Sequence, residues 1–247
     1  MINHNAFVNW RLKRSKELEE NLSFQTSSLV WLNEAVKNDY SYMFQWMGVP
    51  VIQFPSDVFL IQEAIFRSRA NKVIEVGIAR GGMTLFLASL LKVQFSDSDA
   101  KVVAVDVTVS DHTRDAISSS NVRSYIQLVE GNSISEVTLR NVSKHIHPQD
   151  NVVVILDSHH TFEHVYEEMC MYSPLVTKNS FMIVMDTAIE YLDPEVISPK
   201  KEWKRNNSPF TAILEYVKNF PDHFVLDEEI NSRSMPGAAR GGFLRKK

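Results

Sequence analysis

A doubly wound α/β domain, built on a seven-stranded and mostly parallel sheet with a helical extension before it, is the fold class that the sequence predicts. Three observations predict it. Five β-prone runs, at 72–76, 101–106, 125–130, 151–157 and 181–186, alternate with helical patterns. Most of these runs are near-continuous in Val, Ile and Leu, the composition of strands covered by helices on both faces of a parallel sheet. Polar and glycine-rich turns follow the runs, so each strand hands over to a helix, and right-handed crossovers then wind the sheet.

The helices are read from periodicity. The stretch 83–92 follows the first run, and 161–172 follows the fourth, with Val165, Met169 and Tyr172 at steps of four and three. Periodicity lapses over 187–208, where Pro194 and Pro199 fall; a loop of that length is a candidate lid. Ser208 then offers an N-cap and Pro209 a first helical position, opening a helix through Phe220. Two further strands, 223–226 and 242–245, flank the turn region Ser234-Met235-Pro236-Gly237. They are expected to join without a helix and to finish the sheet as an antiparallel hairpin. Residues 1–48 read as helices outside this unit, charged over 11–22 and carrying Trp31, Leu32, Phe44 and Trp46 as apolar surface. The domain reading is an N-terminal helical extension over 1–48 and one α/β domain over 49–247.

With 247 residues and 44% hydrophobic content, the chain can bury one sizeable core. Net charge is −4, and the one dense basic block noted is the tail Arg245-Lys246-Lys247, which argues against nucleic acid as a partner. No signal-peptide pattern opens the chain and no apolar run approaches the roughly 18 residues of a membrane span, so a cytoplasmic location is expected. Cys170, the single cysteine, excludes an intramolecular disulfide and reads as a small buried hydrophobe.

Open α/β sheets bind ligands at the carboxyl ends of their strands, so the residues there carry the functional reading. The first strand ends in Glu75-Val76-Gly77-Ile78-Ala79-Arg80-Gly81-Gly82, a G-x-x-x-G-G turn that departs from the dinucleotide fingerprint and suits a nucleoside without phosphates. It also reads as a tight β-to-α connection with no ligand. Asp106, ending the second strand, can accept from both ribose hydroxyls or cap its own turn. Asn132 and Ser133 after the third strand border an adenine or form an ordinary turn. The fourth strand ends in Asp157-Ser158-His159-His160 and the fifth in Met185-Asp186-Thr187. If these strands are neighbours, about 5 Å apart, Asp157 and Asp186 converge on one hard cation such as Mg²⁺; otherwise they are turn caps. His160 is the general-base candidate, because imidazole titrates near neutral pH. His145, His147 and His164 read as solvated. None of the eight histidines starts H-x-D or H-x-E, which argues against a non-haem iron triad. Gly131-Asn132-Ser133-Ile134-Ser135 lacks the second glycine of a serine-hydrolase elbow.

Taken jointly, Gln45 through Asp57, Ile74 through Gly82, Leu156-Asp157-Ser158-His159-His160-Thr161, Val184-Met185-Asp186-Thr187 and Gly242-Phe243-Leu244-Arg245 resemble the cephalosporin hydroxylase and rhamnosyl O-methyltransferase family from about Phe44 onward. The resemblance implies a class I methyltransferase fold, S-adenosylmethionine as donor, and Mg²⁺. It implies that Glu75, Gly77, Gly81 and Gly82 surround the methionine portion, that Asp106 holds the ribose, and that Asn132 and Ser133 lie near adenine. Asp157 and His159 border the cofactor. It further implies metal ligands at Asp157 and Asp186, and a catalytic pair in Asp157 and the base His160. One departure stands out: metal-binding branches carry an acidic pair after the fifth strand, whereas this chain has Met185 before Asp186, with Glu190 nearby. Two functions are therefore weighed, an O-methyltransferase acting on a hydroxyl of a sugar or small natural product, and a catalytically silent cofactor-binding or assembly subunit. A glycan or small-molecule acceptor and self-association into a homo-oligomer are the expected partnerships.

Overall fold

The computed structural model describes residues 3–95 and 99–247; the first two positions of the expected extension lie outside the described residues. Two helices come first, α1 (His4–Glu20) and α2 (Leu22–Lys37), with Asn21 capping the second by accepting from the Phe24 amide. A short hairpin, β1 (Phe44–Trp46) and β2 (Val49–Val51), follows and is not the helix expected up to residue 48. Its turn explains the difference. Met47 and Gly48 both take positive φ (52° and 81°), the two-residue turn whose twist matches paired strands.

The α/β unit then runs α3 (Pro55–Ser68), β3 (Lys72–Val76), α4 (Gly82–Gln94), β4 (Lys101–Asp106), α5 (Asp111–Ser118), β5 (Ile126–Glu130), α6 (Glu136–Ser143), β6 (Val152–Leu156), α7 (Phe162–Tyr172) and β7 (Phe181–Val184). It closes with α8 (Pro209–Asn219), β8 (Phe224–Leu226), α9 (Glu228–Asn231) and β9 (Phe243–Lys246). The expected helix-free link between the last two strands therefore contains α9. Asp227 caps it by accepting from the Ile230 amide, a start signal hidden in an Asp-Glu-Glu run. At α8 the expected start holds, with Ser208 and Thr211 forming a reciprocal cap.

Strand order is β5-β4-β3-β6-β7-β9-β8, and β9 alone runs antiparallel to both its neighbours. The chain leaves β3 toward β4 and β5, then returns to place β6 on the other side of β3. That reversal opens a crevice beyond the ends of β3 and β6. Alternation along the strands assigns the two faces. Val73, Val102, Ala104, Val153 and Ile155 pack with α3 and α4, whereas Ile74, Val103, Val105, Val154 and Leu156 pack with α7 and α8. Among the described residues no helix is long and apolar enough to cross a membrane.

Candidate active site

The alternation also decides where the acidic residues point. Glu75 shares the face of Val73, so it lies under α4, where Thr84 Oγ1 donates to Glu75 Oε2 at 2.6 Å. Burial pushes this carboxyl up to about 8 despite that bond, and the neighbouring Asp106 adds to the rise. Asp157 follows Leu156 at the end of β6, where Gln53 Nε2 donates to Asp157 Oδ2 at 2.7 Å. Asp186 leaves β7 in a left-handed conformation (φ 54°), and His160 Nε2 stands 3.0 Å from Asp186 Oδ2. One donor atom from each of Asp157, His160 and Asp186 lies within 4.8 Å of the others.

These three groups set one another's charge. Burial and the facing Asp186 hold Asp157 well above the ordinary carboxylate range. Burial alone would depress His160, but the charge and hydrogen bond of Asp186, with Asp157 behind, raise it to about 9. Asp186 is lowered, because the His160 charge and hydrogen bond outweigh its burial.

Two cavities meet at this cluster. The larger, about 470 Å³, lies over the ends of the central strands and is lined by Gly77, Asp106, Asn132, Ser133, Asp157 and His159, among others. The second, about 280 Å³, is lined by His160 and Asp186, by Leu32 and Val36 of α2, and by Ser198, Lys201 and Trp203 of the long loop. A space of about 210 Å³ shares Gly77 and Asp157 with the first cavity and His160 and Asp186 with the second.

The structure thus brings together most of the residues singled out from sequence, and it gives several of them different work. Asp106 Oδ2 accepts from the amides of Ile78 and Ala79 at 3.0 and 3.3 Å and its Oδ1 from the Thr108 amide at 3.3 Å, pinning the glycine turn, and the residue also lines the larger cavity. Gly82 borders the intermediate space, but its lack of a side chain is required by the hairpin: a Cβ there would stand 2.2 Å from Pro50 O. A Cβ on Gly81 would stand 3.0 Å from Thr113 Cγ2 of α5, and Glu75 is buried beneath the crevice. His164, expected to be solvated, stands 3.1 Å from Ser133 Oγ and 3.2 Å from Glu168 Oε1. Both partners meet the same ring nitrogen, so this is a structural clasp and not a serine–histidine–acid relay, which uses the two nitrogens separately. Glu190 is held by Ser208 Oγ at 2.7 Å and by the Asn206 amide, away from the acidic cluster. Met185, at 1% exposure, packs in the core on the α3/α4 face, so position 185 does not reach the site. Gln53, Leu32 and Val36 were missed, because only tertiary folding brings them to the site.

Thr84→Val tests the buried acid. Removing the hydroxyl leaves the Glu75 carboxyl without its donor, and the expected loss of stability is about 1–3 kcal/mol. Urea unfolding checks this, and a loss below about 0.5 kcal/mol would remove the role given to that bond.

Comparison with known proteins follows the same lines. The family model for rhamnosyl O-methyltransferase/CmcI matches residues 38–247. A rhamnosyl O-methyltransferase of Mycobacterium leprae is 26% identical over 204 residues, covering 82% of each chain. One from Mycobacterium bovis is 26% identical over 202 residues, covering 81% of this chain and 76% of the relative. Among solved structures, CmcI with Mg and SAM superposes with a TM-score of 0.60 at 19% identity, covering 83% and 77% of the two chains. An O-methyltransferase from Bacillus cereus in complex with SAH gives 0.53 at 14% identity, covering 95% and 97%. These structural likenesses carry the fold, and the match over 38–247 carries the family. The chain belongs to the rhamnosyl O-methyltransferase/CmcI family, and with it to the S-adenosylmethionine-dependent O-methyltransferases.

Proposed function

We propose that this chain methylates a hydroxyl group of a sugar or sugar-bearing small molecule, with a divalent cation held by Asp157 and Asp186 and with His160 as the base. The single observation that carries this reading is the position of the Asp157–His160–Asp186 cluster between the two cavities. S-adenosylmethionine fits the larger one: Asp106 offers acceptors to a ribose, Asn132 and Ser133 line the same cavity, and a sulfonium bound beside Asp157 would favour the ionised form of a carboxyl that burial otherwise keeps protonated. The acceptor occupies the second cavity, with its hydroxyl toward His160 and Asp186.

The residues also fit a cation. Burial first, then Asp186 and Glu75, raise Asp157 against the lowering effect of His160, so the ionised carboxyl lacks a compensating charge here. Oxygen donors at this spacing suit Mg²⁺. A divalent cation held there supplies positive charge that lowers the pKa of an adjacent hydroxyl. His160 takes the proton released as the hydroxyl oxygen bonds to the methyl carbon and the sulfonium C–S bond breaks. Asp186 orients the imidazole through the 3.0 Å contact. Gln53 fixes the Asp157 carboxylate through its own hydrogen bond. The silent-subunit alternative drew on Met185, and the burial of that side chain in the core leaves the donor set intact.

The test is methyl transfer from S-adenosylmethionine to a panel of glycosides with added Mg²⁺, read by mass spectrometry. Calorimetry with S-adenosylhomocysteine checks the cofactor site separately. Tight cofactor binding with no transfer to any hydroxyl would support the silent subunit. Metal removal has a signed expectation. Without a cation the His160 pKa stays near 9, so activity after exhaustive chelation should rise with pH toward that value. Added Mg²⁺ should restore activity near neutral pH. Identical pH profiles with and without chelator would leave a base-only transfer.

A further inference from the structure

The 280 Å³ cavity carries an electrostatic asymmetry that the reaction itself does not use. Its lining carries Asp39, Gln53 and Asp186 together with His160. Its loop side is basic. Between Pro199 and Asn206 the chain carries Lys200, Lys201, Lys204 and Arg205 against one acid, Glu202. Glu202 faces His159 at 3.7 Å, no salt bridge joins the four cations to a carboxylate among the described residues, and Lys201 acts at longer range on Asp186. All four are exposed, and Lys201 lines the cavity itself beside Trp203, its Nζ lying 5.5 Å from the centre of that ring. The Trp203 ring is in turn edge-on to His160, 6.1 Å between centroids. Over the six residues from Lys200 to Arg205 the loop thus sets an aromatic wall and a cluster of exposed cations beside the proposed base, in a protein whose net charge is −4.

We infer that the acceptor carries an anionic group, a carboxylate or a phosphate, and that Lys201 with its basic neighbours holds this group at the mouth of the cavity while the hydroxyl to be methylated points inward to His160. This rests on the reading of the 280 Å³ cavity as the acceptor site. The orientation follows from the proposed chemistry: the hydroxyl has to reach His160, which leaves the charged group to the Lys201 side of the same cavity. A neutral sugar would find its pyranose face matched by Trp203 but would leave four cations without a role. The bland alternative, a solvated basic face, predicts no discrimination between charged and neutral acceptors.

The experiment uses the full chain loaded with S-adenosylhomocysteine and three probes: methyl glucoside, methyl glucuronide and glucose-1-phosphate. Calorimetry should show both anionic probes binding roughly tenfold more tightly than the neutral one, the size expected from two or more partly exposed charge contacts. Whichever anion binds better identifies the source of the charge. The preference should shrink as salt approaches about 1 M, where screening acts beyond about 3 Å. In a Lys201→Glu/Arg205→Glu variant it should vanish or invert, and Lys201→Arg should keep it; unchanged S-adenosylhomocysteine affinity in each variant certifies the fold. Equal affinity for the three probes, undetectable binding of all of them, or a preference untouched by the charge reversal would overturn the inference. Methyl transfer from S-adenosylmethionine to the same probes separates the two claims. Charge-selective binding without transfer keeps the anionic acceptor and removes the chemistry; transfer without charge preference does the reverse.

Discussion

His160→Ala is expected to lower turnover by roughly 10²- to 10⁴-fold, the usual loss for a general base, while affinity for S-adenosylhomocysteine stays unchanged. The split follows from position. His160 lines the 280 Å³ cavity and the intermediate space but not the 470 Å³ cavity, so under the proposed reading its removal touches the hydroxyl and leaves the nucleoside contacts alone. The variant should also report on pH. In the cation-free protein His160 has a pKa raised to about 9 from 6.5. A raised value means that the folded state binds the proton more tightly, so the stabilisation is fully present below pH 6.5 and is lost as the pH climbs through about 9. The stability advantage of the wild type over His160→Ala should therefore shrink across that window. With the ring 19% exposed, solvent screening holds the change to about 1–2 kcal/mol. Thermal melts in chelator at several pH values measure it. Full turnover in the variant, or a constant stability difference, would remove His160 from the site's chemistry.

Gly77→Ala should be the more severe change for the fold, with a loss of about 3 kcal/mol or more. Two penalties add. Gly77 sits at φ +90°, where a side chain costs about 1–2 kcal/mol. A Cβ there would stand 2.2 Å from Asp157 O and 2.9 Å from Ser158 Cα, both backbone atoms that cannot swing away; overpacking of that kind costs about 1–3 kcal/mol. Gly48→Ala supplies the control, since its φ is +81° and nothing lies within 4 Å of the added carbon. Only the conformational penalty applies there. Urea unfolding of the two variants separates the contributions, and equal losses would show that the close approach of the β3 and β6 ends is not a constraint. Because the clash falls on Asp157, turnover should fall further than stability alone explains.

The fold was legible because buried strands of a parallel sheet leave uninterrupted Val and Ile in the sequence, as in Val152–Leu156. The acidic cluster was legible for a related reason: Asp157 and Asp186 stand at or just past the ends of such runs, and the runs turned out to be neighbours. What was not legible depends on contacts between distant parts of the chain. Gln53 reaches Asp157 across 104 positions, and no local pattern announces that bond. The strand Phe44–Trp46 reads as helix from its apolar residues, while the positive φ of Met47 and Gly48 that turns it into a hairpin leaves no mark in a local pattern. The glycines were correctly marked as special, but Gly77 and Gly82 are demanded by neighbouring backbone at least as much as by a ligand. The basic loop escaped notice because its charges are interrupted by Glu202 and Trp203, and only folding places Lys201 beside the site.

One wall of the 280 Å³ cavity has a consequence for how such a protein changes over time. Leu32 and Val36 belong to α2, ahead of residue 38 where the family match begins, and Leu32 anchors that helix against Phe54, Ala188 and Leu192 through apolar contact. Part of the wall proposed to meet the acceptor thus lies on a different stretch of chain from the strand ends, and the loop carrying Lys201 supplies more of it from inside the matched region. Redrafting that one helix would reshape the cavity while leaving the strand ends unaltered.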